Sequence, residues 1–175
     1  MRRLVVATFA VLLALTGAAR AETSLQTYET VRDGLLAVWA ELPLTARNAT
    51  LTVAPATGYG SYTPLAGDEV ATGAPIHVYV ELLGYGWRDN GDGTFSRLID
   101  ADLSLTDAEG TTLASQTKFL SLELRSREKL LETYLTLEAT LSAFPPGPYR
   151  LNYVLHDRAS GKDGRFTLPI TLAAP

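Results

Sequence analysis

The chain contains no cysteine. That excludes a disulfide, a cysteine-ligated metal and the usual lipid anchor of bacterial lipoproteins. Histidine is almost as scarce, with only His77 and His156. Beyond the N-terminus there is no apolar stretch near the roughly 20 residues that a membrane-spanning helix needs. Positive charge is in deficit, 15 Lys and Arg against 19 Asp and Glu. A surface of that sign disfavours nucleic acid and anionic membrane as partners. No Gly-x-Ser-x-Gly, phosphate loop or dinucleotide fingerprint occurs, so no cofactor is expected.

What the chain does have begins at its first residue. Arg2 and Arg3 give a positive start, Leu4 to Leu15 run without a charge, and Ala19-Arg20-Ala21 offers small residues at the two positions a signal peptidase reads. Met1 to Ala21 therefore reads as a cleavable secretory signal peptide. Without it 154 of the 175 residues remain, and the loss of three arginines moves the formal charge from −4 to −7. Export without cysteine suits a bacterial periplasm or the surrounding medium, since small eukaryotic secreted domains often rely on disulfides.

After the signal, residues 22–45 hold one helix. Tyr28, Val31, Leu35, Val38, Trp39 and Leu42 recur at three- and four-residue steps and share a face. Pro43 stops it. Over residues 46–175 the period changes to two. Ile76, Val78, Val80 and Leu82 alternate with His77, Tyr79 and Glu81. The same alternation marks Ala49 to Val53, Ile99 to Leu105, Leu135 to Leu141, Tyr149 to Leu155 and Phe166 to Leu172. Asn90-Gly91-Asp92-Gly93 is a hairpin signal, and Pro169 assigns the last strand to an edge or a bulge. Lys118 to Lys129 reads either as a strand or as a basic, solvated connection. About seven short strands divided by such turns predict a mainly β, antiparallel two-sheet sandwich after one N-terminal helix.

The stretch from Phe144 through Pro145-Pro146-Gly147-Pro148-Tyr149 to Asp157, with a Ser160-Gly161-Lys162 turn and a last apolar strand, resembles the closing hairpin of immunoglobulin-like and fibronectin type III-like modules of exported bacterial proteins. Gly67-Asp68-Glu69 before Ile76 to Glu81 looks like a strand opening of the same modules. The resemblance covers about residues 49–172. It implies architecture alone, because such folds host many unrelated roles.

Four aromatic residues are the candidate ligand-binding set: Tyr59 and Tyr62 in one Gly-rich segment, Tyr85 and Trp87 in another. Exposed rings on loops anchor protein or glycan ligands through large, stiff, amphipathic surfaces. The bland counterpart is that these rings fold back and plug the ends of the sandwich. Ser115-Gln116-Thr117-Lys118 matches the Ser-x-x-Lys of penicillin-binding enzymes, but it lies in a β-rich stretch without that family's partner motifs. Asp89 and Asp92 offer oxygens to a weak calcium site, although the register lacks the acids an EF-hand needs. The sequence thus points first to an exported, non-catalytic module of the cell envelope that binds an envelope protein or glycan. The alternative is a periplasmic hydrolase using His77 or His156 with nearby carboxylates. A third is a structural protein pairing through an uncovered sheet edge.

Overall fold

The computed structural model describes residues 24–174, so the signal peptide expected over Met1 to Ala21 lies outside the described residues. The chain divides into two units, up to Trp39 and from Ala40 onward. Helix α1 runs through residues 24–41 and ends two residues before Pro43, where the proline ring denies the preceding residue helical geometry. On α1, Leu25, Tyr28, Val31, Leu35 and Val38 are 48–65 % exposed.

The second unit is mainly β, with nine strands in two sheets: β1 (Thr45–Thr52), β2 (Glu69–Ala71), β3 (Pro75–Leu83), β4 (Arg88–Asp89), β5 (Phe95–Thr106), β6 (Thr112–Ser126), β7 (Tyr134–Thr140), β8 (Gly147–Asp157) and β9 (Asp163–Ala173). The smaller sheet has the order β1-β3-β7. The larger runs β2-β9-β8-β5-β4, with β6 on the other side of β5. All pairings are antiparallel except β2 with β9, which is parallel over three residues. The expectation of a purely antiparallel fold therefore fails at that short edge strand, whose sequence carries no alternation to reveal it.

Both alternating apolar sets are buried. Ile76, Val78, Val80 and Leu82 on β3 and Ile99, Ala101, Leu151, Leu155 and Ile170 on the large sheet are at most 1 % exposed. Pro169 lies opposite Arg150, where β9 has β8 on one side and β2 begins only at Thr171. A residue that cannot donate is tolerated there. The Asn90 to Gly93 turn joins β4 to β5, closed by Asn90 N–H donating to Thr94 O at 3.0 Å. The ambiguous Lys118 to Lys129 stretch is strand as far as Ser126, then connection.

Strand β3 is unusual in being buried on both faces. Tyr79 is 0 % and Glu81 4 % exposed on the face opposite the apolar set. Their cover is the β1–β2 connection. It doubles back through Val53 N–H to Thr63 O and Leu65 N–H to Leu51 O, with its tip at Gly58 to Ser61.

Candidate functional site

That covered face of β3 carries a polar centre. One oxygen of the Glu81 carboxylate, Oε2, accepts from Arg47 Nε at 2.9 Å, Arg47 Nη2 at 2.7 Å, Asn48 Nδ2 at 3.0 Å and the Tyr59 hydroxyl at 3.1 Å. The other, Oε1, accepts from the Tyr79 hydroxyl at 3.1 Å. Tyr79 in turn accepts from Gly60 N–H at 2.7 Å, and Arg47 Nη2 also donates to Tyr59 at 2.7 Å. Each buried polar group thus has a partner, which is the condition under which a buried polar network rigidifies a fold rather than weakening it.

The backbone explains how two consecutive residues reach one carboxylate. Neighbours on a strand normally point to opposite faces. The β1–β3 register shifts between Arg47 and Thr50, and Asn48 sits at φ 53°. Such a bulge re-aims side chains, and Asn is among the few residues that tolerate that region. Arg47 and Asn48 therefore converge where regular pleating would part them.

Burial alone pushes the Glu81 carboxyl upward, but the hydrogen bonds from Arg47, Asn48, Tyr59 and Tyr79 outweigh it and hold it below its ordinary value of 4.5. Burial pushes the Tyr79 hydroxyl up to about 12 and raises Tyr59 as well. At neutral pH the carboxylate is charged and saturated and the hydroxyls keep their protons. The centre is built to hold shape, not to move protons.

Above it the rings form a stack. Tyr62 lies on Tyr79 at 4.1 Å between centroids, and Tyr79 lies on Tyr134 at 5.6 Å. Tyr79 is buried, while Tyr62, Tyr134 and Tyr59 are half-buried and Arg47 is exposed. A cavity of about 340 Å³ adjoins Tyr62, lined by Val53, Ala54, Pro55, Thr57, Ser61 and Thr63.

Of the four aromatic candidates, Tyr59 and Tyr62 belong to this centre. Tyr85 and Trp87 do not. They pack edge to face at 5.4 Å in a second cluster. Tyr85 is only 1 % exposed, its hydroxyl donating to Leu130 O at 2.6 Å and accepting from Thr133 Oγ1 at 2.8 Å. It offers no surface to a ligand. The glycines around it serve close packing: a Cβ on Gly84 would stand 2.3 Å from Pro43 O, and one on Gly86 2.8 Å from Ser160 Cβ. Arg47, Tyr79, Glu81 and Tyr134 complete the centre beside the two expected tyrosines. Their only sequence signal is polar and aromatic residues at the outward positions of a strand.

The two histidines are not isolated. His156 lies between Asp163, 2.8 Å from Nδ1, and Asp102, 3.1 Å from Nε2. The bonds to Asp163 and Asp102 raise it above the ordinary 6.5. His77 Nδ1 is 3.2 Å from Glu138 Oε2 but makes no hydrogen bond. Asp92 is engaged by Arg125 and Thr94, and Asp89 accepts from Gly91 N–H. Among the described residues no three His, Cys, Asp or Glu side chains are grouped to hold a metal. The Ser115 to Lys118 motif lies inside strand β6 rather than at the start of a helix. No helix of the described residues is long and apolar enough to cross a membrane.

No protein-family model matches the chain, and no curated protein matches it in sequence. Among solved structures, the sporulation control protein Spo0M from Bacillus subtilis is similar with a TM-score of 0.42 and 15 % identity, over 77 % of this chain and 51 % of that one. The chain thus spans about half the length of Spo0M.

Proposed function

We propose that this chain is an exported, non-catalytic binding module of the bacterial cell envelope, and that it takes a glycan on the tyrosine-lined face of the small sheet. The observation that carries the reading is the half-buried Tyr62 ring stacked on Tyr79, whose hydroxyl shares the Glu81 carboxylate with the exposed Arg47. Flat ring faces match the apolar faces of sugars, and the guanidinium supplies donors at the rim. The Glu81 network beneath holds Arg47 and Tyr59 in place before a ligand arrives, which lowers the ordering cost of binding. The signal-like N-terminus supports export, and the absence of cysteine fits a periplasmic or secreted bacterial product. We take the two sheets to pack face to face as an immunoglobulin-like sandwich, supported by apolar faces at most 2 % exposed on β3 and across β5, β8 and β9 at Ile99, Leu151 and Ile170.

The test is sedimentation of the purified protein with insoluble peptidoglycan and titration with soluble envelope oligosaccharides. Tyr62→Ala is expected to lose binding and stay folded. Undiminished binding in that variant, or capture of an envelope protein and no glycan, overturns the glycan assignment.

The alternative of a hydrolase is favoured by one observation, the reach of His156 to Asp102 and Asp163. Both ring nitrogens are already engaged by carboxylates, so neither takes a substrate proton without first giving up that contact. We therefore place the binding module first.

A further inference from the structure

The second aromatic cluster contains an arginine without a counter-ion among the described residues. Arg97 lies on β5 and is 6 % exposed. Nη1 donates to the Thr133 hydroxyl and to Glu132 O at 3.3 Å. Nε is buried with no partner among the described residues, and the guanidinium also donates to the Tyr85 hydroxyl. Among the described residues no carboxylate pairs with Arg97. Lys129, exposed and likewise without an ion pair, stands 5.2 Å from the Phe95 ring and 6.0 Å from the Trp87 ring. Phe95 precedes Arg97 by two residues on the same strand, hence on the same face.

Arginine keeps its proton in any protein environment. A buried charge that meets only neutral acceptors is costly, and folds normally pair it or leave it in water. Here Nη1 is paired with neutral acceptors, while the buried Nε has no partner among the described residues. Nε belongs to the edge of the guanidinium whose parallel N–H bonds fit the two oxygens of a carboxylate or phosphate. We propose that Arg97, with Lys129 over the Phe95 ring on the same face of β5, binds an oxyanion, the phosphate or carboxylate group of a ligand. The proposal does not rest on the glycan site, which uses other residues.

The test uses purified ¹⁵N-labelled protein at constant ionic strength, titrated with inorganic phosphate in one arm and acetate in the other, against chloride. A saturable shift of the Arg97 Nε–H and Trp87 indole N–H resonances is expected in at least one arm, and the arm that responds assigns the ligand group. Arg97→Met is expected to lose that response while keeping or gaining thermal stability, because an apolar side chain of similar length replaces an unpaired buried charge. Lys129→Met, an exposed change, is expected to weaken the response several-fold and keeps the question open to test if Arg97→Met does not fold. Shifts that never saturate in either arm, or a response that Lys129→Met leaves untouched, overturn the proposal.

Discussion

Glu81 and Arg47 are joined by two hydrogen bonds to one carboxylate oxygen, 2.9 and 2.7 Å long, across 34 residues of sequence. Glu81 is 4 % exposed, whereas Arg47 is an exposed residue. The pair therefore links the interior of the small sheet to the surface on which we place the ligand.

Replacing Glu81 with Gln should destabilise the fold by about 1.5–3 kcal/mol, the range for hydrogen bonds to a charged group. Urea unfolding monitored by circular dichroism reads it. Because the folded carboxyl lies below its ordinary 4.5, its contribution is present above that value and is lost as pH falls through the lower, folded value. The wild type should lose stability more steeply than Glu81→Gln below about pH 4.5. Parallel acid profiles for the two proteins would contradict this account.

His156 has the opposite sign. Asp163 and Asp102 raise it above 6.5, so its stabilisation is complete below 6.5 and fades as pH rises through the folded value. A ¹H–¹⁵N titration of the imidazole should give a midpoint above 6.5, and His156→Gln should flatten the stability profile on that alkaline side. A midpoint at or under 6.5 would sink the expectation.

Gly84 adopts φ 74°, and a Cβ there would meet Pro43 O at 2.3 Å and Leu42 O at 2.8 Å. Backbone oxygens cannot swing away as a flexible side chain would. Gly84→Ala should cost about 2–4 kcal/mol, from strain at positive φ together with the clash. Thermal unfolding tests it, with Gly91→Ala as a comparison: its φ is 76° but nothing lies within 4 Å, so only the strain component should remain.

Asp157, 1 % exposed, accepts from Gly86 N–H at 2.6 Å, Ala159 N–H at 2.9 Å and the Ser160 hydroxyl. It pins the β8–β9 turn to the segment after β3. Asp157→Ala leaves these donors without their acceptor and should cost about 3 kcal/mol. Faster amide exchange at Gly86 and Ala159 than at the β8–β9 ladder would show that the loss is local to this junction.

Much of the strand layout is legible in the residues themselves. Ile76 to Leu82 alternates because one face of β3 is apolar, and the Asn90 to Gly93 turn supplies the conformations a tight hairpin needs. The same local logic misleads at Gly84-Tyr85-Gly86, where glycine suggests an open loop. These glycines exist because Pro43 and Ser160, distant in sequence, approach too closely for a side chain, and Tyr85 is buried as a consequence. The β1 bulge is nearly silent in the sequence, since Asn48 permits a positive φ but nothing in Arg47-Asn48-Ala49 requires it.

The sequence by itself determined the mainly β character of residues 46–175, the stop of α1 before Pro43, most strand positions and the acidic, cysteine-free surface chemistry. Each follows from local sterics or composition, which act over a few residues. Only the tertiary structure decided which side chains meet: that Tyr59 and Tyr62 close over Glu81 and Tyr79, that Tyr85 turns inward, and that Arg97 is buried without an acid. Those outcomes depend on strand order, register and bulges, set by packing between segments tens of residues apart, and a one-residue slip would exchange every face.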